Sequence, residues 1–310
     1  MKVTVIMAVF NAETYLAQAI ESVLNQTYKN FEFIIINDGS TDNSLQVIKK
    51  YSATDSRIIL DDHVNMGKGE SFNRVVDMFA NGEYLFHMDA DDIMLPNRIE
   101  RQLNFLASQD IEAISCLAYY ISGENVRIGK VYNDIKTIEV FNDYIQNNEP
   151  IGLLNPGFVI RKDIFNQVGG YRGRFWPADD IDLYNRVTEI GAKILVQQEI
   201  LMQYRIHGGS VITSKFINGR MKFEWVRESM WKRRKGETEP TWEEYLAKLN
   251  SQSFAQKLNW KRKTYAKHYY RSAGFDFAKK NYSSFIFHLV SAFILQPIHI
   301  INKISKQWTN

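Results

Sequence analysis

Residues 84–96 read YLFHMDADDIMLP, and this stretch joins a buried-strand pattern to a sudden run of charge. Its apolar half predicts a β-strand covered on both faces, which is typical of parallel sheets. Three carboxylates, Asp89, Asp91 and Asp92, then follow within four residues. Like charges at this spacing raise one another's pKa unless a cation or several N–H donors lie among them. We therefore expect a positive group at the end of this strand.

The same alternation of strand and helix patterns extends over about residues 2–105. Four apolar runs, KVTVIMAVF, FEFIIIND, RIILDD and YLFHMD, are each followed by a helical pattern. This order predicts parallel strands joined by right-handed crossovers, in a doubly wound α/β sheet. Ligands bind beyond the carboxyl ends of the strands in such sheets. The polar residues expected to converge there are Asn11, Asp38, Asp61, Asp62, Asp89, Asp91 and Asp92.

The character of the chain changes near residue 214. Residues 1–214 carry 19 Lys and Arg against 28 Asp and Glu, whereas residues 215–310 carry 19 against 7. Strand patterns also become scarce there, and helical patterns rich in basic and aromatic residues follow. We predict an α/β domain over 1–214 and a basic helical extension over 215–310. An extension of this charge is suited to an anionic surface.

Cysteine usage and the N-terminus indicate the compartment. A single cysteine, Cys116, excludes a disulfide framework and a cysteine-rich zinc site, and is compatible with a reducing cytoplasm. The apolar run before Asn11 is too short for a signal peptide. We therefore predict a cytoplasmic protein.

Common phosphate-binding motifs are missing from the sequence. Neither G-x-G-x-x-G after the first strand nor G-x-x-x-x-G-K-[ST] anywhere is present, so neither a dinucleotide dehydrogenase nor a P-loop NTPase is supported. A divalent ion, Mn²⁺ or Mg²⁺, bound by the carboxylates after residue 88 and by diphosphate oxygens would supply the missing charge. Lys68, in NMGKGESFN, would meet a nucleotide or remain in solvent.

Asp38, in IIINDGSTDNS, has two interpretations. It would accept hydrogen bonds from a ligand base or sugar, or it would belong to a turn in which Ser40, Thr41 or Asp42 caps the next helix. Both remain open at this stage.

Five segments resemble, in order and spacing, those of the family 2 glycosyltransferases, which have the GT-A fold. The resemblance covers about residues 1–210. The segments are VTVIMAVFNAETYLAQAIESVLNQTY, FEFIIINDGSTDNS, NMGKGESFNRVV, GEYLFHMDADDIMLPNRIERQ and RFWPADDIDLYNRV. The resemblance implies a doubly wound mixed sheet, to which the C-terminal helical extension is attached, and an enzyme of bacterial cell-surface polysaccharide synthesis.

The resemblance also implies roles for residues at the strand ends. Asp38 would hydrogen-bond the nucleobase, Asp89 would contact the ribose or a metal-bound water, and Asp91 would ligate the ion that bridges the diphosphate. The rest of the nucleotide pocket would comprise Ala8, Val9, Phe10 and Asn11. The family commonly has proline at the position of Ala8 and tyrosine at that of Phe10, departures that change packing more than charge.

Two later motifs imply catalytic and metal-binding residues. In WPADDIDLYNR, Asp180 matches the catalytic base, and Asp179, where the family usually has glutamate, is the competing candidate. The alternative is an acidic first turn that stabilises the helix dipole. YRIHGGSV resembles the late histidine motif, in which His207 would ligate the metal or donate to phosphate, on a loop able to close. A purely structural His207 is the alternative.

The extension contains KKNYSSFIFHLVSAFILQPIHIINKISKQW at residues 279–308. Residues 281–302 include no Asp, Glu, Lys or Arg, but His288, Gln296, Pro297 and His299 interrupt the apolar run. A spanning helix needs about 20 predominantly apolar residues. We therefore predict an interfacial helix on an anionic membrane surface. Packing on the protein itself, or dimerisation, remains open.

Together these features predict a metal-dependent inverting glycosyltransferase of hexosyltransferase type, peripheral on the inner face of the plasma membrane. It would move a sugar from a nucleotide-sugar, by default a UDP-sugar, to a hydroxyl of a glycan or lipid-linked glycan. One alternative is a sugar nucleotidyltransferase, although FNAETY does not supply its triphosphate loop. The other is a non-catalytic module that binds sugar nucleotides. The acidic strand ends argue against nucleic acid.

Overall fold

The computed structural model describes residues 2–207, 216–298 and 300–301. Its strands are β1 (Val3–Val9), β2 (Phe31–Asp38), β3 (Ile58–His63), β4 (Tyr84–Asp89), β5 (Ile93–Met94), β6 (Ala113–Ile121), β7 (Arg127–Lys130), β8 (Val159–Arg161) and β9 (Ile194–Arg205). The helices before residue 207 are α1 (Glu13–Leu24), α2 (Ser44–Ser52), α3 (Lys68–Met78), α4 (Arg98–Ser108), α5 (Ile138–Gln146), α6 (Lys162–Gln167) and α7 (Asp179–Glu189). Those after residue 215 are α8 (Phe216–Arg234), α9 (Trp242–Ser251), α10 (Phe254–Ala278) and α11 (Tyr282–Leu295).

One mixed sheet contains the nine strands found in the described part of the chain. Its order is β3-β2-β1-β4-β8-β6-β9-β5, and β7 pairs with β6. β1 runs parallel to β2 and β4, and β2 runs parallel to β3, whereas β8 is antiparallel to both β4 and β6. The predicted doubly wound mixed α/β sheet is confirmed.

The register of the sheet brings the strand ends together. Ala8 of β1 is aligned with Ile36 on one side and with Asp89 on the other, while Asp38 is aligned with His63 of β3. β9 is parallel to β6, which has the same direction as β4, so Arg205 at the end of β9 lies at the same edge. The first four strands therefore end side by side, as predicted from the polar residues that follow each apolar run of the sequence.

The core lies on both faces of the central strands. All eight residues of β2 are buried. Neighbouring residues of a strand point to opposite faces, so continuous burial means that both faces are covered. On α1, the spacing of Leu16, Ile20 and Val23 places these fully buried side chains on one helix face. Burial of each such side chain stabilises the fold by about 1.5–3 kcal/mol relative to exposure.

The helical extension packs against the α/β part of the chain. Trp225 of α8 lies against Phe175, with ring centroids 4.3 Å apart, and Val226 and Tyr245 complete this second apolar cluster. The indole N–H of Trp225 donates to the carbonyl of Pro240 at 2.8 Å. The predicted boundary near residue 214 lies outside the described residues, so the division into 1–214 and 215–310 stays a prediction.

Helices α10 and α11 pack along each other. His288 of α11 stacks on Tyr269 of α10 with a centroid distance of 5.7 Å, and its Nδ1 lies 2.6 Å from a carboxylate oxygen of Asp276. Phe275 of α10 also meets Tyr120 of β6 edge-on. None of the helices in the described ranges is both long enough and apolar enough to cross a bilayer.

Candidate active site

The turn after β4 holds three carboxylates in one cluster. One oxygen from each of Asp89, Asp91 and Asp92 lies within 4.8 Å of the others. Asp92 is 1% exposed, and its Oδ1 accepts the backbone N–H of Arg205 at 2.7 Å. Its Oδ2 is also buried, yet has no hydrogen-bond partner among the described residues. Burial, followed by the charges of Asp91 and Asp89, raises the pKa of Asp92 well above its usual range.

Arg205 positions this turn, and sequence reasoning missed it. Its Nε donates to the carbonyl of Asp91 at 2.6 Å, and its guanidinium stacks on Tyr15 at 4.5 Å from the ring centroid. A second branch, Nη1, donates to Oδ1 of Asn125 at 2.7 Å. The available signal was the arginine in YRIHGG, two residues before the histidine of that motif.

His207 lies beside the carboxylate cluster. Its Nε2 is 3.0 Å from Oδ2 of Asp91, and its ring packs against Tyr15 with centroids 5.1 Å apart. The structure therefore brings His207 and Asp91 together, although they are far apart in sequence. Gly208 and Gly209, on which the expectation of a closing loop rested, lie outside the described residues.

Lys68 connects the two acidic regions of the site. It is the first residue of α3, and its ammonium group is paired with the carboxylate of Asp89. Burial opposes its charge, but Asp89, Asp179 and Asp180 outweigh this effect and raise the pKa of Lys68. The next residue, Gly69, lets the start of α3 lie close to α7, because a Cβ there would lie 3.0 Å from Oδ2 of Asp179.

Asp38 is held by the segment that precedes and begins α3. Its carboxylate accepts the backbone N–H groups of Met66 at 2.8 Å and Gly67 at 3.0 Å, and the hydroxyl of Ser71 at 2.9 Å. Asp38 is only 3% exposed. The carboxylate therefore shapes the turn that delivers Lys68 to Asp89.

The turn after β1 lies against the loop after β2. Asn11, which has a positive φ of 51°, accepts the backbone N–H of Thr41 at 2.8 Å through its side-chain oxygen. Val9 is buried and Ala8 half-buried, whereas the ring of Phe10 is 53% exposed. The turn thus offers an exposed aromatic side chain at the end of β1, next to the end of β2.

The first turn of α7 places its three aspartates in different environments. Asp179 is buried, and burial raises its pKa. Burial and the neighbouring charge of Asp179 raise the pKa of Asp180 to about 7. Asp182 is fully buried but is bound by Arg172 and Arg186, each through Nε at 2.8 Å.

A polar network that the sequence did not reveal lies beside these groups. The hydroxyl of Tyr171 lies 2.8 Å from Nδ1 of His87 and donates to Oδ1 of Asn155 at 3.1 Å. Tyr184 donates to the same amide oxygen at 2.8 Å. Burial lowers the pKa of His87 well below its usual range, so the imidazole is neutral.

Both acidic turns face one cavity of about 860 Å³, which we call the acidic cleft. Its lining includes Asp89, Asp91, Asp179 and Asp180, together with Lys68. Helices α8 and α10 also contribute to its wall, through Phe216, Gly219, Arg220, Phe223, Thr264, Lys267, His268 and Arg271. Asp38 and the turn at residues 8–11 lie outside the lining defined by the described residues.

The family is decided by comparison with known proteins. The family model described as glycosyl transferase family 2 matches residues 4–169. An uncharacterized glycosyltransferase of Haemophilus influenzae is 34% identical over 231 residues, which cover 70% of this chain and 68% of that protein. This chain belongs to glycosyl transferase family 2.

A second relative aligns over a similar length at lower identity. Glycosyltransferase GlyG of Streptococcus pneumoniae is 26% identical over 242 residues, covering 73% of this chain and 76% of that protein. The resemblance drawn from the five sequence motifs is therefore confirmed, and the chain is a glycosyltransferase.

Solved structures confirm the GT-A fold. TarS of S. aureus (residues 1–349), solved in complex with UDP-GlcNAc, superposes with a TM-score of 0.59 at 16% identity, covering 96% of this chain and 92% of that one. A mannosyltransferase of Pyrobaculum calidifontis, solved with GDP-Man and Mn²⁺, gives a TM-score of 0.53 at 15% identity, covering 99% and 79%.

Proposed function

We propose that this family 2 enzyme transfers a sugar from a nucleotide-sugar to an acceptor hydroxyl, with inversion at the anomeric carbon and with a divalent ion bound at the turn after β4. The observation that carries the proposal is that both acidic turns line one cleft. One turn is suited to holding a cation beside the leaving diphosphate, and the other to accepting a proton from the acceptor.

The residues of the turn after β4 fit a divalent ion. A buried carboxylate oxygen of Asp92 lacks a partner among the described residues. One oxygen from each of Asp89, Asp91 and Asp92 lies within 4.8 Å of the others. Oxygen ligands of this kind suit Mn²⁺ and Mg²⁺. Asp91 would hold the ion, with His207 as a further ligand. When bound, the ion would neutralise charge on the departing nucleoside diphosphate.

Asp180 is suited to act as the base. Because its pKa is about 7, a substantial fraction of Asp180 is deprotonated near neutral pH, and the carboxylate is still basic enough to take up a proton. The acceptor oxygen forms the new bond to the anomeric carbon, the bond from that carbon to the diphosphate oxygen breaks, and Asp180 takes the hydroxyl proton. Attack from the α7 side and departure toward the β4 side would invert the configuration.

The nucleotide would lie over the ends of β1, β2 and β3. The exposed ring of Phe10 offers a stacking surface for a base, and Asn11 and Asp38 offer polar atoms beside it. Lys68 is placed to meet a diphosphate because it already pairs with Asp89. UDP-sugars are the first donors to test, since a structural neighbour was solved with UDP-GlcNAc.

A donor screen tests this proposal. The full chain is incubated with UDP-, GDP- and dTDP-sugars, each with Mn²⁺, Mg²⁺ or a chelator, and release of nucleoside diphosphate is measured. We expect one donor to be consumed with metal and not with chelator. Turnover in the presence of chelator would show that no divalent ion is required. If no donor were bound or turned over, the proposed function as a whole would be contradicted.

We further propose that α11 rests on an anionic membrane surface, where the enzyme meets a lipid-linked glycan. Ile294 of α11 and Ile298, three residues beyond its end, are 73% and 75% exposed, and Lys279 and Lys280 precede the helix. Interfacial helices bind in this way, through apolar burial and basic flanks. A second copy of the chain is the other candidate for this surface.

Flotation with anionic vesicles tests the membrane contact. The double variant Ile294→Ser, Ile298→Ser should float less than the wild type. The matched control is Val64→Ser, Met78→Ser, which removes two exposed apolar side chains from the α/β part of the chain. Equal flotation of the two variants would contradict the membrane proposal, and loss of a dimer in light scattering would assign the surface to a second copy.

A further inference from the structure

A second cavity lies in the helical extension, and its lining is basic. It has a volume of about 440 Å³ and lies between α8, α10 and Gln296, the residue that follows α11. Four cationic side chains and a single carboxylate line it, so positive charge is in excess. We call it the basic cavity, and its lining comprises Arg220, Glu224, Arg227, Trp260, Lys263, Thr264, Lys267 and Gln296.

Several donors of the basic cavity have no acceptor within the described residues. The buried Nε groups of Arg220 and Arg227 and the buried indole Nε1 of Trp260 lack hydrogen-bond partners there. Glu224 pairs with both arginines, but through their Nη2 groups. Arginine and tryptophan side chains are donors only, so these groups call for an acceptor, which either water or an acceptor-rich ligand supplies. Buried polar groups are otherwise almost always paired.

The basic cavity adjoins the acidic cleft. Arg220, Thr264 and Lys267 line both. A molecule that extends from the acidic cleft across these three residues would therefore lie beside the basic side chains of the second cavity and beside the residues that carry the unpaired donors. The donor diphosphate is not that molecule if it binds at the turn after β4, because Asp89 and Asp91 do not line the basic cavity.

We propose that the basic cavity binds a phosphate group carried by the acceptor. This inference rests on the proposed function, because it assumes that the acceptor hydroxyl is presented to Asp180 in the acidic cleft. A phosphate offers several acceptor oxygens and negative charge, which match guanidinium, indole and ammonium donors on different sides of one cavity. The acceptor is then a phosphate-bearing glycan or a phosphate-linked lipid glycan.

The test uses inorganic phosphate as the probe and the indole N–H of Trp260 as the reporter. The full chain with ¹⁵N-labelled tryptophan is titrated with phosphate in metal-free buffer at constant ionic strength, and Trp260→Phe identifies the signal. We expect a saturable shift of the Trp260 signal. Absence of such a shift would overturn the proposal.

Two lysines of α10 provide a matched pair of variants. Lys263 and Lys261 are both exposed, but only Lys263 lines the basic cavity. Lys263→Gln should weaken phosphate binding roughly three- to fivefold, because an exposed charge contributes modestly. Lys261→Gln should leave the phosphate affinity unchanged. Equal weakening in both variants would mean that only the general charge of the extension attracts phosphate, and would overturn the proposal.

Two further ligands distinguish the source of the phosphate. sn-Glycerol 1-phosphate that displaces inorganic phosphate at Trp260 would indicate an acceptor phosphate in solution. Phosphatidylcholine vesicles that move the signal only when they contain phosphatidylglycerol would indicate a lipid phosphate. The titrations need neither donor nor metal, so phosphate binding without donor turnover would contradict only the proposed function. Donor turnover together with a Trp260 signal that does not shift on addition of phosphate would contradict only this inference.

Discussion

Two turns of this protein each carry three aspartates within four residues, but the surroundings of the buried aspartate differ between the two turns. In the turn after β4, Asp92 is nearly fully buried, yet one of its oxygens has no partner among the described residues. At the start of α7, Asp182 is equally buried but is bound by Arg172 and Arg186, with Arg233 at 3.5 Å.

The consequence is opposite electrostatics for the same residue type at the same burial. Burial and the neighbouring carboxylates raise the pKa of Asp92. Burial acts in the same sense on Asp182, but its arginine partners reverse the effect and lower the pKa. The protein thus supplies the compensating charge at Asp182, whereas Asp92, the neighbour of the cleft-lining Asp91, keeps its demand for a cation or a proton.

The largest expected effect is a loss of turnover when Asp180, in the first turn of α7, is replaced. Asp180→Asn should reduce turnover of the donor found in the screen by about 10²–10⁴-fold, because it removes a general base. The rate of nucleoside diphosphate release measures this loss. Affinity for the nucleoside diphosphate should be retained, since Asp180 does not contact the donor's base in the proposed arrangement.

A competing assignment is checked by the same assay. If Asp179→Asn lowers the turnover rate more than Asp180→Asn does, the base is Asp179 rather than Asp180. A loss of less than tenfold in both variants would contradict a base at either position.

The compensated aspartate should matter for stability instead. Asp182→Asn leaves buried guanidinium charges without their carboxylate, and should lower the free energy of unfolding by about 3–5 kcal/mol in urea titrations. The matched control is Asp163→Asn, since Asp163 pairs with Arg161 at an exposed site, where the expected cost is about 0–1 kcal/mol. Similar losses in the two variants would contradict the compensating role of the arginines.

Asp92→Asn should behave in the opposite way to Asp182→Asn. Without metal, its thermal midpoint should stay the same or rise, because the amide removes a buried like charge while its oxygen can still accept from the backbone of Arg205. The affinity for Mn²⁺, measured by calorimetry, should fall by about 10–100-fold. A clear loss of metal-free stability with unchanged Mn²⁺ affinity would make Asp92 a structural residue.

The two turns also show which features the sequence can predict. The strand ends and the aspartates after them follow from local periodicity, so they could be predicted without knowledge of tertiary contacts. The pair of Asp182 and Arg186, four residues apart on α7, is a local pattern. The long-range contacts do not follow from the sequence, because Arg205 reaches the backbone carbonyl of Asp91 across 114 residues and Arg172 reaches Glu239 across 67. The basic cavity was missed for the same reason, since residues of α8 and α10 and Gln296 form it together.

The smallest expected effect is a shift in pH dependence. The pKa of Asp180 is raised to about 7, mainly by burial and next by the charge of Asp179. Asp180 acts as a base only when deprotonated, so kcat/KM should fall as the pH drops below about 7. Asp179→Asn removes the neighbouring negative charge, which should lower the pKa of Asp180 and move this acidic limb to lower pH. Asp163→Asn should leave the limb in place, and a limb that moves to higher pH in Asp179→Asn would show that the two carboxylates do not interact as the structure of α7 requires.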